Sequence, residues 1–269
     1  MPAAQRTKQR RNVQTIAVIN QKGGSGKTTT ATNLAAVWGR ERRRPTLLVD
    51  LDPQFAATRH LGVRPADLDA TLYDVLAVED VDVEDAIVAH SDGLDLLAGD
   101  RRLAELELAL VGEAMREQFL TSALEPIANR YELCVLDCPP NLGLLTVNAL
   151  VAADRILVPV RMEDEGALQG VIELRATLDK LSRRGVKREI SGIVRTVVDP
   201  RRQVYAVLNK GLRDAELDAL EAEIPNRAGF HRQGVEGAPL VVSQPDSPGA
   251  CAYRALATEL DAKLAEAAA

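Results

Sequence analysis

The chain has 269 residues, a formal net charge of −6 and a hydrophobic fraction of 46%. This length suits one large α/β domain or two small ones, and the apolar fraction is ample for a core. Three cysteines without a C-x-x-C pair disfavour a disulfide scaffold and a cysteine-held metal cluster, and no apolar run reaches membrane-spanning length, so we expect a cytoplasmic protein.

Apolar runs alternate with helical periodicity along the whole chain. The predicted strands are Thr15–Asn20, Thr46–Asp50, Leu94–Leu97, Glu132–Asp137, Arg155–Val160, Ile190–Val197 and Ala222–Ile224. The predicted helices are Thr28–Arg40, Arg101–Ala109, Glu113–Asn129, Leu142–Ala152, Gly166–Arg184, Arg201–Leu220 and Gly249–Glu266. Nearly continuous apolar strands alternating with helices are typical of a parallel sheet that is buried on both faces.

The predicted fold class is therefore α/β, with a doubly wound, mostly parallel sheet flanked by helices. No linker divides the chain, so residues 13–269 are expected to form a single domain. Residues 1–12 carry four basic and no acidic side chains, and we expect a disordered basic tail. Such a tail either contacts a polyanion or is simply solvated.

A glycine-rich segment follows the first predicted strand and opens the first predicted helix. Glycines let backbone N–H groups turn inward, and a helix N-terminus attracts anions, so the segment predicts a phosphate cradle. Lys27 is expected to reach the β/γ-phosphates and Thr28 to bind Mg²⁺. The alternative is a glycine-rich turn without a ligand, which needs neither side chain. The predicted cradle residues are Lys22, Gly23, Gly24, Ser25, Gly26, Lys27, Thr28 and Thr29.

Carboxylates end two of the later predicted strands. Asp50 and Asp52 leave the second strand in the sequence D-L-D-P-Q, and Asp137 ends a strand that is followed by C-P-P. In doubly wound sheets, ligands bind at the edge formed by the carboxyl ends of the strands. Asp137 is therefore expected to hold Mg²⁺ through water. The alternative for Asp50 and Asp52 is that they cap a helix.

These segments, in this order, resemble the deviant Walker A, Walker A′ and Walker B boxes of the ParA/MinD family of P-loop ATPases, and the resemblance extends over residues 13–266. It implies a Mg-dependent ATPase that forms an ATP-bound sandwich homodimer. By this resemblance Lys22 reaches across to the nucleotide of the partner subunit, Asp52 orients the attacking water, and Asp50 supports the magnesium shell. The catalytic residues it implies are Lys22, Lys27 and Asp52.

The adenine pocket is less well matched. The family often reads I-P-R-N at this position, whereas this chain reads Ile224-Pro225-Asn226-Arg227. By the resemblance, Pro225 and Asn226 contact the base. The family also includes members that end in a basic amphipathic membrane helix. The last predicted helix is mildly acidic and lacks aromatic anchors, so we expect it to pack on the sheet rather than bind a membrane.

Charge is distributed unevenly along the chain. Residues 66–119 carry fifteen acidic and three basic side chains, whereas residues 183–213 carry nine basic and two acidic ones. The second segment predicts nonspecific binding to double-stranded DNA, because phosphate neutralisation needs only clustered lysine and arginine. Alternatively, these side chains solvate the ends of helices. The predicted DNA contacts are Arg184, Lys187, Arg201 and Arg202.

The function implied by the resemblance is DNA partitioning. An ATP-bound dimer is expected to bind DNA nonspecifically, which places it on the nucleoid, and a ParB-like partner is expected to stimulate hydrolysis and release. A protein that positions a non-DNA cargo, such as a protein cluster or a division component, would share the same catalytic core. A non-catalytic ATP-dependent scaffold is the third hypothesis.

Overall fold

A computed structural model describes residues 13–78, 80–110, 112–226 and 237–268 of the chain. The predicted basic tail, residues 1–12, lies outside the described residues, and so does Arg227 of the predicted adenine segment. In the described part of the chain, no helix is both long and apolar enough to cross a membrane.

The core is an eight-stranded sheet in the order β3-β4-β2-β5-β1-β6-β7-β8. Neighbouring strands run parallel except at one edge, where β3 and β4 are antiparallel. This topology confirms the predicted fold class. The strands are β1 (Gln14–Val18), β2 (Thr46–Asp50), β3 (Ile87–Ser91), β4 (Leu94–Leu97), β5 (Leu133–Asp137), β6 (Arg155–Arg161), β7 (Ile190–Val198) and β8 (Ala219–Pro225).

Helices cover both faces of the sheet. The α-helices are α1 (Lys27–Ala36), α2 (Ala56–His60), α3 (Leu72–Ala77), α4 (Leu106–Ala109), α5 (Phe119–Leu124), α6 (Leu144–Ala152), α7 (Ala167–Ser182), α8 (Gln203–Asp214), α9 (Leu240–Ser243) and α10 (Pro248–Ala268). Short 3₁₀ turns occur at Pro65–Asp67, Arg101–Ala104 and Arg116–Gln118, and α1 continues into a π-helical turn, Val37–Glu41.

The two faces form two separate apolar clusters. On one face, α1 and α10 pack on the sheet through side chains such as Leu34 and Leu256. On the other face, α6 and α7 pack through side chains such as Leu150 and Leu174. Every residue of β2 and β5 is buried. Burial on both faces explains why these strands read as continuous apolar runs rather than as alternating ones.

The π-helical turn that continues α1 is joined to α10 by hydrogen bonds and ion pairs to the carboxylate of Asp261. Trp38, in the π-helical turn, is fully buried. Its indole Nε1 donates to Asp261 Oδ1 at 3.0 Å. The guanidinium groups of Arg42 and Arg44 also pair with Asp261. The helix that begins at the glycine-rich loop is therefore tied at its far end to the C-terminal helix.

Three predicted helices are shorter in the structure by five residues or more. The segment predicted as Arg101–Ala109 divides into a 3₁₀ turn and α4, and only Phe119–Leu124 of the segment Glu113–Asn129 is α-helical. The segment predicted as Arg201–Leu220 ends at Asp214, because β8 begins at Ala219 and its residues pair with β7. Pairing with a neighbouring strand overrides helix propensity here.

Candidate nucleotide-binding site

The glycine-rich loop joins β1 to α1 at the carboxyl edge of the sheet. Gly24 and Gly26 have positive φ angles of 71° and 92°. Gly26 is the N-cap of α1, and no side chain caps this helix. On β7, Thr196 donates its hydroxyl hydrogen to the carbonyl of Ser25 at 2.8 Å, which fixes the loop from behind. The first N–H groups of α1 are thus left without a side-chain cap, an arrangement suited to phosphate.

Lys27 is buried at the start of α1, with 6% of its surface exposed. Its Nζ donates to the carbonyl of Lys22 at 3.3 Å, across the loop. Burial lowers the pKa of Lys27, while the nearby Asp137 and Asp52 carboxylates act in the opposite direction. The predicted phosphate lysine therefore lies where the loop enters α1, close enough to Asp137 and Asp52 to feel their charges.

Asp137 has the surroundings expected of a cation ligand. It ends β5, directly opposite Asp50 at the end of β2. Both its carboxylate oxygens are buried and have no hydrogen-bond partner in the described chain. Burial raises its pKa well above the usual value, with a further contribution from Asp50, and the Thr28 hydroxyl acts in the opposite direction. A buried, unsatisfied carboxylate beside a hydroxyl and a phosphate loop fits a hard cation such as Mg²⁺.

Asp50 differs from its neighbour, because its oxygens are already occupied. Its Oδ2 accepts hydrogen bonds from the backbone N–H of Thr58 at 2.8 Å and from the Thr58 hydroxyl at 2.7 Å. Its Oδ1 accepts the backbone N–H of Asp52 at 3.2 Å. Burial raises the pKa of Asp50 to about 6. These contacts favour a supporting position behind the metal site rather than direct coordination.

Asp52 lies on the turn after β2, half-buried, with its charge acting on Lys27. Its Oδ1 accepts the backbone N–H of Gln54 at 2.9 Å, and its carbonyl accepts that of Phe55 at 2.7 Å. These hydrogen bonds hold the Asp52 carboxylate beside the glycine-rich loop, where its charge acts on Lys27. Because Asp50 binds the backbone N–H of Asp52, the two carboxylates are positioned together.

Lys22 has an ion-pair partner within its own chain. Its Nζ lies 3.1 Å from Asp164 Oδ2, in the loop between β6 and α7. Its backbone N–H donates to Asn20 Oδ1 at 2.9 Å. The hydrogen bond from Lys22 lowers the pKa of Asp164 below its ordinary value. Sequence reasoning missed Asp164, although its place after the carboxyl end of β6 marks it as a residue of the ligand edge.

The predicted adenine contacts lie at the same edge. Pro225 ends β8, and the backbone N–H of Asn226 donates to the carbonyl of Val198 at 3.0 Å. The Asn226 side chain lies 3.4 Å from Glu163, which also pairs with Arg202 at 3.1 Å. Sequence reasoning did not single out Glu163. It connects the β6–α7 loop, the end of β8 and one of the predicted DNA-binding arginines.

The four predicted DNA contacts do not form one continuous surface. Arg201 and Arg202 follow β7 at the carboxyl edge of the sheet, where Arg201 pairs with Asp199 at 2.9 Å. Arg184 and Lys187 precede β7 and lie at the opposite edge. At roughly 3.3 Å per residue, the nine residues of β7 separate the two pairs by about 30 Å.

Comparison with known proteins agrees with this geometry. A family model described as an AAA domain matches residues 13–191. The sporulation initiation inhibitor protein Soj of Bacillus subtilis is 39% identical over 254 residues, which cover 92% of this chain and 98% of that protein. The chromosome partitioning protein ParA of Myxococcus xanthus is 36% identical over 249 residues, covering 91% and 87%.

Solved structures share the fold. A cobyrinic acid a,c-diamide synthase from Mycobacterium smegmatis, crystallised with an ATP analogue and magnesium, is 33% identical, with a TM-score of 0.79 and coverage of 91% of this chain and 93% of that one. The cell division ATPase MinD of Pyrococcus furiosus is 28% identical, with a TM-score of 0.76 and coverage of 92% and 98%. Sequence, topology and the phosphate loop agree, and the chain belongs to the ParA/Soj family of P-loop ATPases.

Proposed function

We propose that this chain hydrolyses ATP to ADP and phosphate with the help of Mg²⁺, and that it uses this cycle to partition DNA. The observation that carries the ATPase proposal is the buried carboxylate of Asp137, which has no hydrogen-bond partner among the described residues and whose charge acts on Lys27 of the phosphate site. The structural relative from Mycobacterium smegmatis, which binds an ATP analogue and magnesium, supports the same assignment.

The chain's own residues have separable roles in this proposal. The loop from Gly23 to Thr29 binds the phosphates through backbone N–H groups, and Lys27 neutralises the β- and γ-phosphates. Thr28 and Asp137 would hold the magnesium ion, which neutralises charge that develops on the phosphate oxygens. Asp52 orients the attacking water at the mouth of the loop. Asp50 positions Asp52 through the backbone hydrogen bond described above.

Lys22 is assigned to the dimer. In the single chain its ammonium group pairs with Asp164. In a homodimer that encloses two nucleotides, we propose that Lys22 leaves Asp164 and approaches the phosphates bound by the partner subunit. Exchange of one anion for another keeps the charge of Lys22 compensated throughout, so the step carries a small electrostatic cost.

The DNA contacts are assigned to Arg201 and Arg202, at the same edge as the nucleotide. Arg202 pairs with Glu163, which the Asn226 side chain also contacts, so a change at the nucleotide site reaches Arg202 through Glu163. Arg184 and Lys187 form a second basic pair at the opposite edge. The relative named chromosome partitioning protein ParA supports chromosome partitioning, and the ParB-like partner is part of this proposal. The relative named MinD supports the alternative, a protein that positions a cargo other than DNA.

The test is binding to a random-sequence DNA duplex with ATP, with ADP and without nucleotide, over a salt series. We expect ATP-dependent binding that weakens steeply with salt. Arg201→Glu with Arg202→Glu should reduce affinity at least about tenfold, more than the matched pair Arg184→Glu with Lys187→Glu. Absence of DNA binding in a confirmed ATP dimer would instead favour the non-DNA cargo.

A further inference from the structure

An open groove of about 750 Å³ lies between α6, the end of α7 and the 3₁₀ turn Arg116–Gln118. Its floor is aliphatic. Val147 and Val151 lie one turn apart on α6, Leu142 precedes that helix, and Val186 closes the far side. These four side chains are half-buried, so each presents part of its apolar surface to the groove.

The rim of the groove is basic. Lys180, Arg183 and Arg184 are exposed at the end of α7 and line the groove. Across the part of the chain that the structure describes, none of these three cations is paired with a carboxylate. On the opposite wall, Arg116 lies 3.9 Å from Glu117, the one acidic side chain among the lining residues. The groove therefore combines a recessed aliphatic floor with an uncompensated positive rim.

The wall opposite α7 is held in place by a buried amide. The Nδ2 group of Asn148 on α6 donates to the carbonyl of Arg116 at 2.9 Å. Its Oδ1 accepts the backbone N–H of Leu120 at 3.0 Å. Because the Asn148 side chain is buried and makes both contacts, the 3₁₀ turn stays fixed on α6 and the groove exists before anything binds in it. A preformed groove loses little conformational entropy on binding.

We propose that this groove docks an acidic amphipathic helix of a partner protein. Apolar side chains at helical spacing fit the aliphatic floor, and flanking carboxylates fit the basic rim. DNA fits less well, because phosphates contact exposed cations and leave a recessed aliphatic floor uncovered. The chain's own tail, residues 1–12, is basic and would be repelled by the rim.

The position of the groove allows a docked helix to affect the nucleotide site. Leu142 lies five residues after Asp137, on the segment that leads from the end of β5 into α6. A side chain packed against Leu142 restricts this segment, and through it the surroundings of Asp137.

The test uses two fluorescent helical peptides of about 18 residues, each with leucines at i, i+3, i+4 and i+7, and with either glutamate or lysine at the other positions. Fluorescence anisotropy should show binding of the glutamate peptide. Arg183→Glu with Arg184→Glu, and separately Val147→Asp, should each weaken that binding at least about tenfold. The matched charge reversal Lys210→Glu with Arg213→Glu, on α8, should leave it unchanged.

Three results would overturn the proposal. The first is equal binding of the lysine peptide, and the second is binding that neither groove variant weakens. The third is a chain that self-associates through the groove and becomes monomeric in the Val147→Asp variant, because the occupant is then a second copy. Circular dichroism of each variant checks that the fold is retained. The binding measurement needs no nucleotide or DNA, so its outcome is independent of the proposed ATPase and partitioning function.

Discussion

Two neighbouring carboxylates in this site differ in what they contact. Asp50 accepts hydrogen bonds from two backbone N–H groups and from one hydroxyl, whereas Asp137, directly opposite it in the sheet, accepts none in the described chain. An unpaired buried carboxylate destabilises a folded chain. Asp137 therefore costs stability in the absence of a cation, and in the proposed function a bound Mg²⁺ offsets this cost.

This difference predicts the effect of Asp137→Asn. Removal of the buried charge should raise the free energy of unfolding of the nucleotide-free chain by about 1–3 kcal/mol. The same change should remove the Mg²⁺-dependent part of ATP affinity. Urea unfolding without nucleotide and ATP titration with and without Mg²⁺ measure the two effects. Loss of stability in the nucleotide-free variant would show that Asp137 is already compensated within the chain, with the Lys27 ammonium as the nearby group.

The Lys22–Asp164 pair predicts a pH dependence. The pKa of Asp164 in the folded chain lies below its ordinary value of 3.8, so the pair stabilises the fold above that pH, and the contribution is lost as pH falls through the lowered pKa. Lys22→Ala should raise the pKa of Asp164 toward 3.8. The stability difference from the unmodified chain should be present near neutral pH and vanish in acid.

A carboxyl-detected NMR titration of Asp164 measures this pKa directly. Lys210→Ala, which removes a lysine on α8, serves as the control and should leave the titration unchanged. A titration that is the same in all three proteins would mean that Lys22 and Asp164 are not paired in solution.

At the scale of elements, the parallel strands and the phosphate loop could be predicted because their signals are local. Apolar runs mark strands that are buried on both faces, and the glycine–lysine spacing marks the turn into α1. The edge strand β3 was missed because it is only half-buried and mixes polar with apolar residues. The contact of Asp50 with Thr58 on α2 and the contact of Lys22 with Asp164 depend on segments that meet in space, and no spacing in the sequence encodes them.

Two glycines of the phosphate loop should differ in how much stability an alanine substitution costs. Gly26 has a φ of 92°, so Gly26→Ala should destabilise the fold by about 1–2 kcal/mol and weaken ATP binding. A Cβ added at Gly23 meets nothing within 4 Å, so Gly23→Ala should change stability by less than about 0.5 kcal/mol. Thermal melting of both variants makes the comparison, and equal losses would contradict the strain argument.

At the scale of the molecule, clustering in sequence did not predict clustering in space. The segment rich in lysine and arginine crosses the whole sheet as β7, so the four predicted DNA contacts fall into two groups at opposite edges, Arg184 with Lys187 and Arg201 with Arg202. One group adjoins the nucleotide loop, and the other rims the groove beside α6. The sequence predicts that this segment is basic. The path of β7 across the sheet determines at which edge each of its side chains lies.

The fastening of α1 to α10 has a spectroscopic consequence. Trp38 is the one tryptophan of the chain, and its indole N–H bonds to Asp261 on α10. At 1.5 Å per residue, it lies about 17 Å along the helix from the phosphate loop. Its emission therefore comes from a single known position and needs no attached dye. A shift of that emission on adding nucleotide would report, in real time, movement carried by α1 from the loop to the back of the protein.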